Sequence, residues 1–348
     1  MGQVPGFTAR KRGTAAYPLY CGAGTLAAFR RGERSPTRRR ESSLSSARER
    51  FLAFRKSLPR PPRLTRRAVR ARGLEFAVFE SPHVDEALPL LCINGGLLFD
   101  HRLLWPALSP LAARRRLVFF DQRGRGASQP PPGVRAARLE HDAGDVPAIR
   151  EALGIERWDV LGHSWGGGIA MLAVAQDQAA TRKLVLVDAI GPTSEWIPQL
   201  LPDALRRLAP LGAERHAALA RFGESDLTSE DPVLQWEYSN ALYPAWFADP
   251  DMTAMLSPPK AHSRTGAVVA ARLRREGYDW RAPLRALGVP TLVIHGEEDL
   301  LPTNVARAIV ATLPDARLEL VAGAGHMPFW EAPDRFFALV ERFLSQPV

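Results

Sequence analysis

The chain has 348 residues, 46% of them hydrophobic and 24% charged, an ordinary balance for a globular protein. Its formal net charge of +9 sits at one end, because residues 1–72 hold 19 Lys+Arg against 3 Asp+Glu and the remainder holds 27 against 34. The folded part is therefore mildly acidic and shows no basic reading motif, which excludes a nucleic-acid partner, and no run approaches the ~18 apolar residues of a membrane span.

Residues 1–64 read as a disordered basic tail. The stretch RRGERSPTRRRESSLSSARERFLAFRKSLPRPPRLTRR (30–67) is rich in Arg, Ser and Pro, and it lacks the apolar periodicity needed to offset chain entropy. Within the tail, ARKRGTAAYPLYCGAGTLAAF (9–29) has the basic start and mildly apolar run of a secretory signal, but Pro18 and several glycines interrupt it. An Arg- and Ser-rich, acid-poor composition also suits a transit peptide, and a start site assigned too far upstream is a third reading. The two cysteines, Cys21 and Cys92, form neither a disulfide framework nor a metal cluster. Cys92 lies in an apolar run and reads as a small buried hydrophobe, which suits a reducing, cytoplasmic location.

From residue 65 the pattern becomes regular. LEFAVFE (74–80) alternates as a strand does, and LPLLCIN (88–94) is a continuous apolar run of buried-strand length. NGG follows it directly. RLVFFDQ (116–122) is the next strand, and RLEHDAGDVPAIREALG (138–154) has helical spacing. RWDVLG (157–162) then leads through GHSWGG into the helix-like GGGIAMLAVAQDQ (166–178), and KLVLVDA (183–189) resumes the strand series. Residues 191–281 break the rhythm with Pro, Trp and charged residues at helical spacing, and read as a helical lid inserted between two late strands. PTLVIHG (290–296), TNVARAIVATL (303–313), ARLELVAG (316–323) and PDRFFALVERFL (333–344) complete the alternation. Apolar runs alternating with amphipathic segments predict a mostly parallel α/β sheet covered on both faces, with its core in 65–190 and 282–348.

The chemistry centres on VLGHSWGGGIA (160–170). Ser164 stands at a strand-to-helix junction with Gly162 and Gly166 two residues to either side, the context of a nucleophile elbow. Side chains at those two positions would collide with the neighbouring strand and helix. A serine nucleophile needs a base and an orienting acid. Asp299 follows one late strand in LVIHGEEDLLP, and His326 follows the next in LVAGAGHMPFWEAP. Both stand at strand C-terminal ends, where α/β sites form. Asp188 and Glu298 are the alternative acids. His295 lies on the strand itself and reads as structural, and His163 should point away from the serine. The two oxyanion donors expected of acyl transfer are the backbone N–H groups of Trp165, just after the nucleophile, and of Gly96 in the NGG loop.

With these motifs the chain resembles the α/β-hydrolase superfamily from about residue 67 onward, on GHSWGG, GEEDLLP and GAGHMPFWEAP. More narrowly it is similar to the proline iminopeptidase branch, on VFFDQRGRGAS and the tryptophan after the serine. That branch's HGGPG loop is here NGGLL, with Asn94 in place of its histidine. The resemblance implies a serine hydrolase with a helical lid and no cofactor or metal, acting on a small molecule or short peptide. It also implies that Trp236 and Glu237 of LQWEYSN form a substrate site in which the glutamate holds a free amine. An N-terminal aminoacyl bond is the leading substrate. A carboxylester, a lactone or a carbon–carbon bond cleaved by the same triad is the alternative, and a ligand-binding receptor on this scaffold is the non-enzymatic one.

Overall fold

Strands buried along their whole length must be covered on both faces, and that requirement organises this chain. The computed structural model describes residues 46–58, 60–84 and 87–347. Its sheet contains β1 (Thr65–Ala71), β2 (Leu74–Glu80), β3 (Leu90–Ile93), β4 (Leu117–Phe120), β5 (Trp158–His163), β6 (Thr181–Val187), β7 (Thr291–Gly296) and β8 (Ala316–Val321). The spatial order is β1-β2-β4-β3-β5-β6-β7-β8. Strand β2 runs antiparallel to β1 and β4, and every other neighbouring pair is parallel.

The helices are α1 (Ala47–Ser57), α2 (Leu139–Ala152), α3 (Trp165–Gln176), α4 (Ile197–Leu208), α5 (Ala213–Ala220), α6 (Glu224–Leu227), α7 (Pro232–Leu242), α8 (Arg264–Glu276), α9 (Arg281–Leu284), α10 (Thr303–Thr312), α11 (Pro328–Glu331) and α12 (Pro333–Ser345). None is long and apolar enough to cross a membrane.

Strands β3, β5 and β7 are buried at every position. Successive residues serve opposite faces, as the pleat requires. Leu91, Ile93 and Val160 join Val146 of α2 and Ile169 of α3 in one apolar cluster. Leu90, Cys92 and Leu161 join Phe336 and Phe343 of α12 in the other. Cys92 is thus a core residue, and burial pushes its thiol pKa up, away from reactivity.

Strand β1 has no counterpart among the predicted elements. It forms the sheet edge with only Val69 and Ala71 buried, and its solvent-facing arginines leave no apolar alternation to read. Helices α4 to α8 all fall between β6 and β7. In α4, Leu200, Ala204 and Leu208 are buried, the four-residue spacing of one helix face. Helix α8 comes so close to the loop after β3 that a side chain at Gly266 would lie 2.3 Å from the Leu97 carbonyl oxygen.

The tail requires a correction. Cys21 and the signal- or transit-like stretch lie outside the described residues, but residues 47–57, expected to be disordered, form α1. A reciprocal cap starts it: the Ser46 hydroxyl accepts the Glu49 N–H (3.2 Å), and the Glu49 carboxylate accepts the Ser46 N–H (2.9 Å). Phe51 is fully buried, and Phe54 packs on Trp330 and Phe337. Arg50 donates to the carbonyls of Gly323 (2.5 Å) and Glu331 (2.7 Å). Two aromatics and an arginine bound to backbone carbonyls dock this helix, a combination that carries no hydrophobic period. Phe51→Ala should therefore cost about 3–5 kcal/mol, read as a lower midpoint in urea unfolding. An unchanged midpoint, or an unchanged Tm after deletion of residues 1–58, would show that α1 does not dock.

Candidate active site

The junction of β5 and α3 holds Ser164 at φ 56°, ψ −123°, a left-handed backbone region that a non-glycine residue occupies at a cost of about 1–3 kcal/mol. The surroundings enforce this geometry. A Cβ at Gly162 would lie 2.5 Å from the Gly166 carbonyl oxygen, and one at Gly166 would lie 2.2 Å from that of Ile93. One at Gly95 would lie 2.5 Å from the Ser164 Cβ. Three glycines thus let two strands, a helix and the NGG loop meet at one serine. The Ser164 hydroxyl does not cap α3, so it is not committed to the helix it precedes.

His326 and Asp299 come together as their loops predict. His326 Nδ1 lies 2.8 Å from Asp299 Oδ2, with both side chains buried. Burial works to raise the Asp299 pKa, but the imidazoles of His326 and His295 and the Leu301 N–H outweigh it and hold the carboxyl below its ordinary range. Neither alternative acid makes this contact. Asp188 is fully buried and accepts the Gly296 N–H (2.8 Å), and burial, then the charge of Asp299, push its pKa well up. Glu298 is exposed. His295 lies 2.9 Å from the Leu301 carbonyl through Nε2, as a structural histidine would.

His163 has a role that its neighbours in sequence do not reveal. Burial drives its pKa down to about 3, so the ring is neutral, and its Nε2 lies 2.9 Å from the His326 carbonyl oxygen. A neutral ring donates that N–H and anchors the histidine loop. Trp246 anchors it from the inserted helical segment: its carbonyl accepts the His326 N–H (2.7 Å), and its ring stacks on the imidazole at 4.2 Å.

The loop after β3 is held by the DQRGRGAS stretch, a positioning role that its sequence does not announce. Gln122 donates to the Asn94 carbonyl (2.7 Å), and Arg125 Nε donates to the Leu97 carbonyl (2.8 Å). Arg125 is completely buried and pairs with buried Asp142 at 2.9 Å. Asn94, in the position of the family's histidine, donates to the carbonyls of Gly95 (3.0 Å) and Phe99 (3.2 Å). Gly96 (φ 74°) turns the chain here. Gly96, Trp165, Ser164 and His326 all line one cavity.

Its remaining walls are mostly apolar, with Leu98, Phe99, Leu200, Tyr238, Leu242 and Trp246 prominent. Among the described residues no Asp, Glu or Lys lines it, and Arg274 is its one arginine. Glu237 and Trp236 are not brought into it, which corrects the expectation for LQWEYSN. Helix α7 presents Gln235, Tyr238, Ser239 and Leu242 to the cavity, the i, i+3, i+4, i+7 face. The residues between them turn elsewhere. Glu237 is 41% exposed and pairs with Arg221 at 2.8 Å, and Trp236 packs on His262.

Two buried clusters carry donor sets a cation would accept, Asp100–His101–Asp121 and Asp188–His295–Asp299. Protein groups already engage them: Asp121 binds the backbone and ring of His101, Arg102 binds Asp100, and His326 binds Asp299.

The model of the α/β-hydrolase-fold family matches residues 89–333, and the chain belongs to that family of hydrolases. Within it, the chain is 27% identical over 272 residues to a proline iminopeptidase of Lactobacillus delbrueckii subsp. bulgaricus, covering 74% of this chain and 89% of that one. It is 28% identical over 240 residues to a 2-hydroxymuconate semialdehyde hydrolase of Pseudomonas putida, covering 67% and 78%. A crystal structure of an esterase from Rhodococcus sp. ECU1013 superposes with a TM-score of 0.60 at 24% identity, covering 81% and 98%.

The Arg125–Asp142 pair carries a stability prediction. Burial pushes the Asp142 pKa up to about 6 even against the Arg125 charge. The folded state thus holds this proton more tightly than the unfolded chain does. The contribution is full below the free value of 3.8 and is lost as pH rises through about 6. Arg125→Met leaves the buried carboxylate with Arg123 alone, 3.9 Å away, and should cost about 3–5 kcal/mol at pH 8, and markedly less at pH 5, where Asp142 takes up a proton. Urea unfolding at both pH values checks this, and a pH-independent loss would contradict it.

Proposed function

We propose that this chain is a serine hydrolase that works through an acyl-enzyme. Ser164 Oγ attacks a substrate carbonyl while His326 Nε2 takes its proton. Asp299 fixes the imidazole tautomer and stabilises the imidazolium that forms. The N–H groups of Gly96 and Trp165 receive the developing oxyanion, and the dipole of α3 adds to their field. His326 then returns the proton to the leaving group, and water frees the acyl group by the same route in reverse. One observation carries the reading: a strained serine elbow opens on the same cavity as a histidine whose far nitrogen is bound by a carboxyl of depressed pKa. The helical segment 191–281 is the lid, and 65–190 with 282–348 the core.

The substrate is a small ester or amide with an apolar acyl part, because most side chains lining the cavity are apolar and none is a carboxylate. The family resemblance to proline iminopeptidases favours a second reading, an N-terminal aminoacyl bond, which must then place its ammonium without Glu237. A panel of short acyl esters and aminoacyl-arylamides separates the two, with turnover of the esters expected. Turnover confined to the aminoacyl substrates would establish the second reading. No turnover of either would favour a ligand receptor.

A fluorophosphonate probe should label Ser164, and Ser164→Ala should abolish labelling and lower kcat by about 10⁶. Asp299→Asn should lower kcat by about 10⁴ through the wrong tautomer, whereas Asp188→Asn, isosteric with the neutral acid, should change it little. Reversal of the last two would move the acid to the end of β6. More than a tenth of the activity surviving in Ser164→Ala would remove the serine mechanism.

A further inference from the structure

We propose that Glu331 is the positioning residue that couples the lid to the catalytic histidine, its carboxylate gripping the peptide groups on both sides of His326 and one peptide group of the lid. The inference rests on the reading of His326 as general base. Glu331 Oε2 accepts the N–H groups of Gly325 (3.0 Å) and Met327 (3.2 Å), and Oε1 accepts that of Ala248 (2.7 Å). The side chain is completely buried. Ala248 lies two residues beyond Trp246, whose carbonyl and ring both hold His326. The two segments touch without side chains between them: a Cβ on Gly325 would fall 2.5 Å from the Trp246 carbonyl oxygen and 2.6 Å from the Ala248 nitrogen. From the other side, Arg50 of α1 binds the main-chain carbonyl of Glu331 itself (2.7 Å).

A carboxylate is an acceptor at both oxygens, so it serves three N–H donors at once. The neutral acid or an amide cannot, because one end becomes a donor facing other donors. Loss of one grip frees either the backbone of His326 or the lid segment that covers its ring, and a displacement of about 1 Å at the reacting atoms lowers rate by up to about 10²-fold.

The site is poised to lose that grip near neutrality. Burial raises the Glu331 pKa to about 7, against the pull of the Ala248, Met327 and Gly325 N–H groups, with the charge of Asp299 adding to the rise. The ionisable groups around it are Asp299, Asp188, His326 and His163 on the sheet side, Arg50 on α1, and Arg207 on α4, which donates to the Phe247 carbonyl (2.9 Å).

The test uses the full chain and a short acyl ester. Values of kcat and KM are measured from about pH 5.5 to 8.5 for the unmodified protein, Glu331→Gln and Ala248→Pro, well below each Tm. Glu331→Gln imitates the protonated state. Its kcat should be about 10–100-fold lower at pH 8.5, with KM within about threefold, and the deficit should shrink to less than about threefold at pH 5.5, where Glu331 is itself protonated. A deficit that is constant with pH, or none, would overturn the proposal. Ala248→Pro removes the lid donor and puts a ring carbon where the N–H met Glu331 Oε1, so it breaks that contact outright, and Phe247 before it already has the extended backbone (ψ 147°) a following proline requires. It should lower kcat about 3–10-fold with the pH dependence kept, because Glu331 still titrates and still accepts the Gly325 and Met327 N–H groups. An unchanged kcat would overturn the coupling to the lid, and this variant decides the matter if Glu331→Gln does not fold. Ser164→Ala, assayed alongside, separates the failures. Turnover surviving it overturns the serine reading and this proposal together, whereas Ser164-dependent turnover with a pH-independent Glu331→Gln deficit overturns this proposal alone.

Discussion

The close approach of four backbone segments at Ser164 is the constraint on which the rest depends. Strand β5 must turn into α3 while the loop after β3 passes within van der Waals contact of the serine, and no Cβ fits at residues 95, 162 or 166. That crowding holds Ser164 in a backbone region it would not otherwise choose, and it lifts the hydroxyl off the helix and towards the cavity. The parallel strands β3 and β5, buried throughout, supply the rigid base against which such strain is held.

Everything else near the serine fixes loops in relation to that turn. Arg125, Gln122 and Asn94 bind carbonyls of the loop after β3, and the Arg125–Asp142 pair is sealed from water. His163, Trp246 and Glu331 bind the main chain around His326. Apart from Trp246, whose main-chain carbonyl makes the bond, a side chain grips backbone in each case, which orders a loop without a regular ladder of hydrogen bonds. Loops held in this way keep a geometry that glycine-rich sequence alone would leave mobile.

Most of the fold is legible in the chain because β2 to β7 each bury an apolar run, because β8 at the far edge carries alternating Leu318, Leu320 and a buried Val321, and because α2, α3, α10 and α12 carry helical periods. Gly162, Ser164 and Gly166 are legible as a steric requirement, and Asp299 and His326 as loop residues at the right strand ends; the structure brings that pair to 2.8 Å. Strand β1 is not legible, since its edge position exposes arginine. Nor is α1, whose docking depends on two aromatics and on carbonyls more than 270 residues away. The place of Glu237 is not legible, because a motif names a residue but not the helix face it occupies, and α7 turns that residue towards Arg221. The link from Glu331 to the lid is not legible, because its third donor comes from a segment 83 residues earlier.

The most direct test of the serine mechanism is a crystal structure of the protein after reaction with a fluorophosphonate. The expected result is a phosphorus atom bonded to Ser164 Oγ, with one phosphonyl oxygen about 2.7–3.1 Å from the backbone nitrogens of both Gly96 and Trp165 and His326 within hydrogen-bond reach of the leaving-group side. An adduct on another residue, or a phosphonyl oxygen turned away from those two nitrogens, would contradict the account.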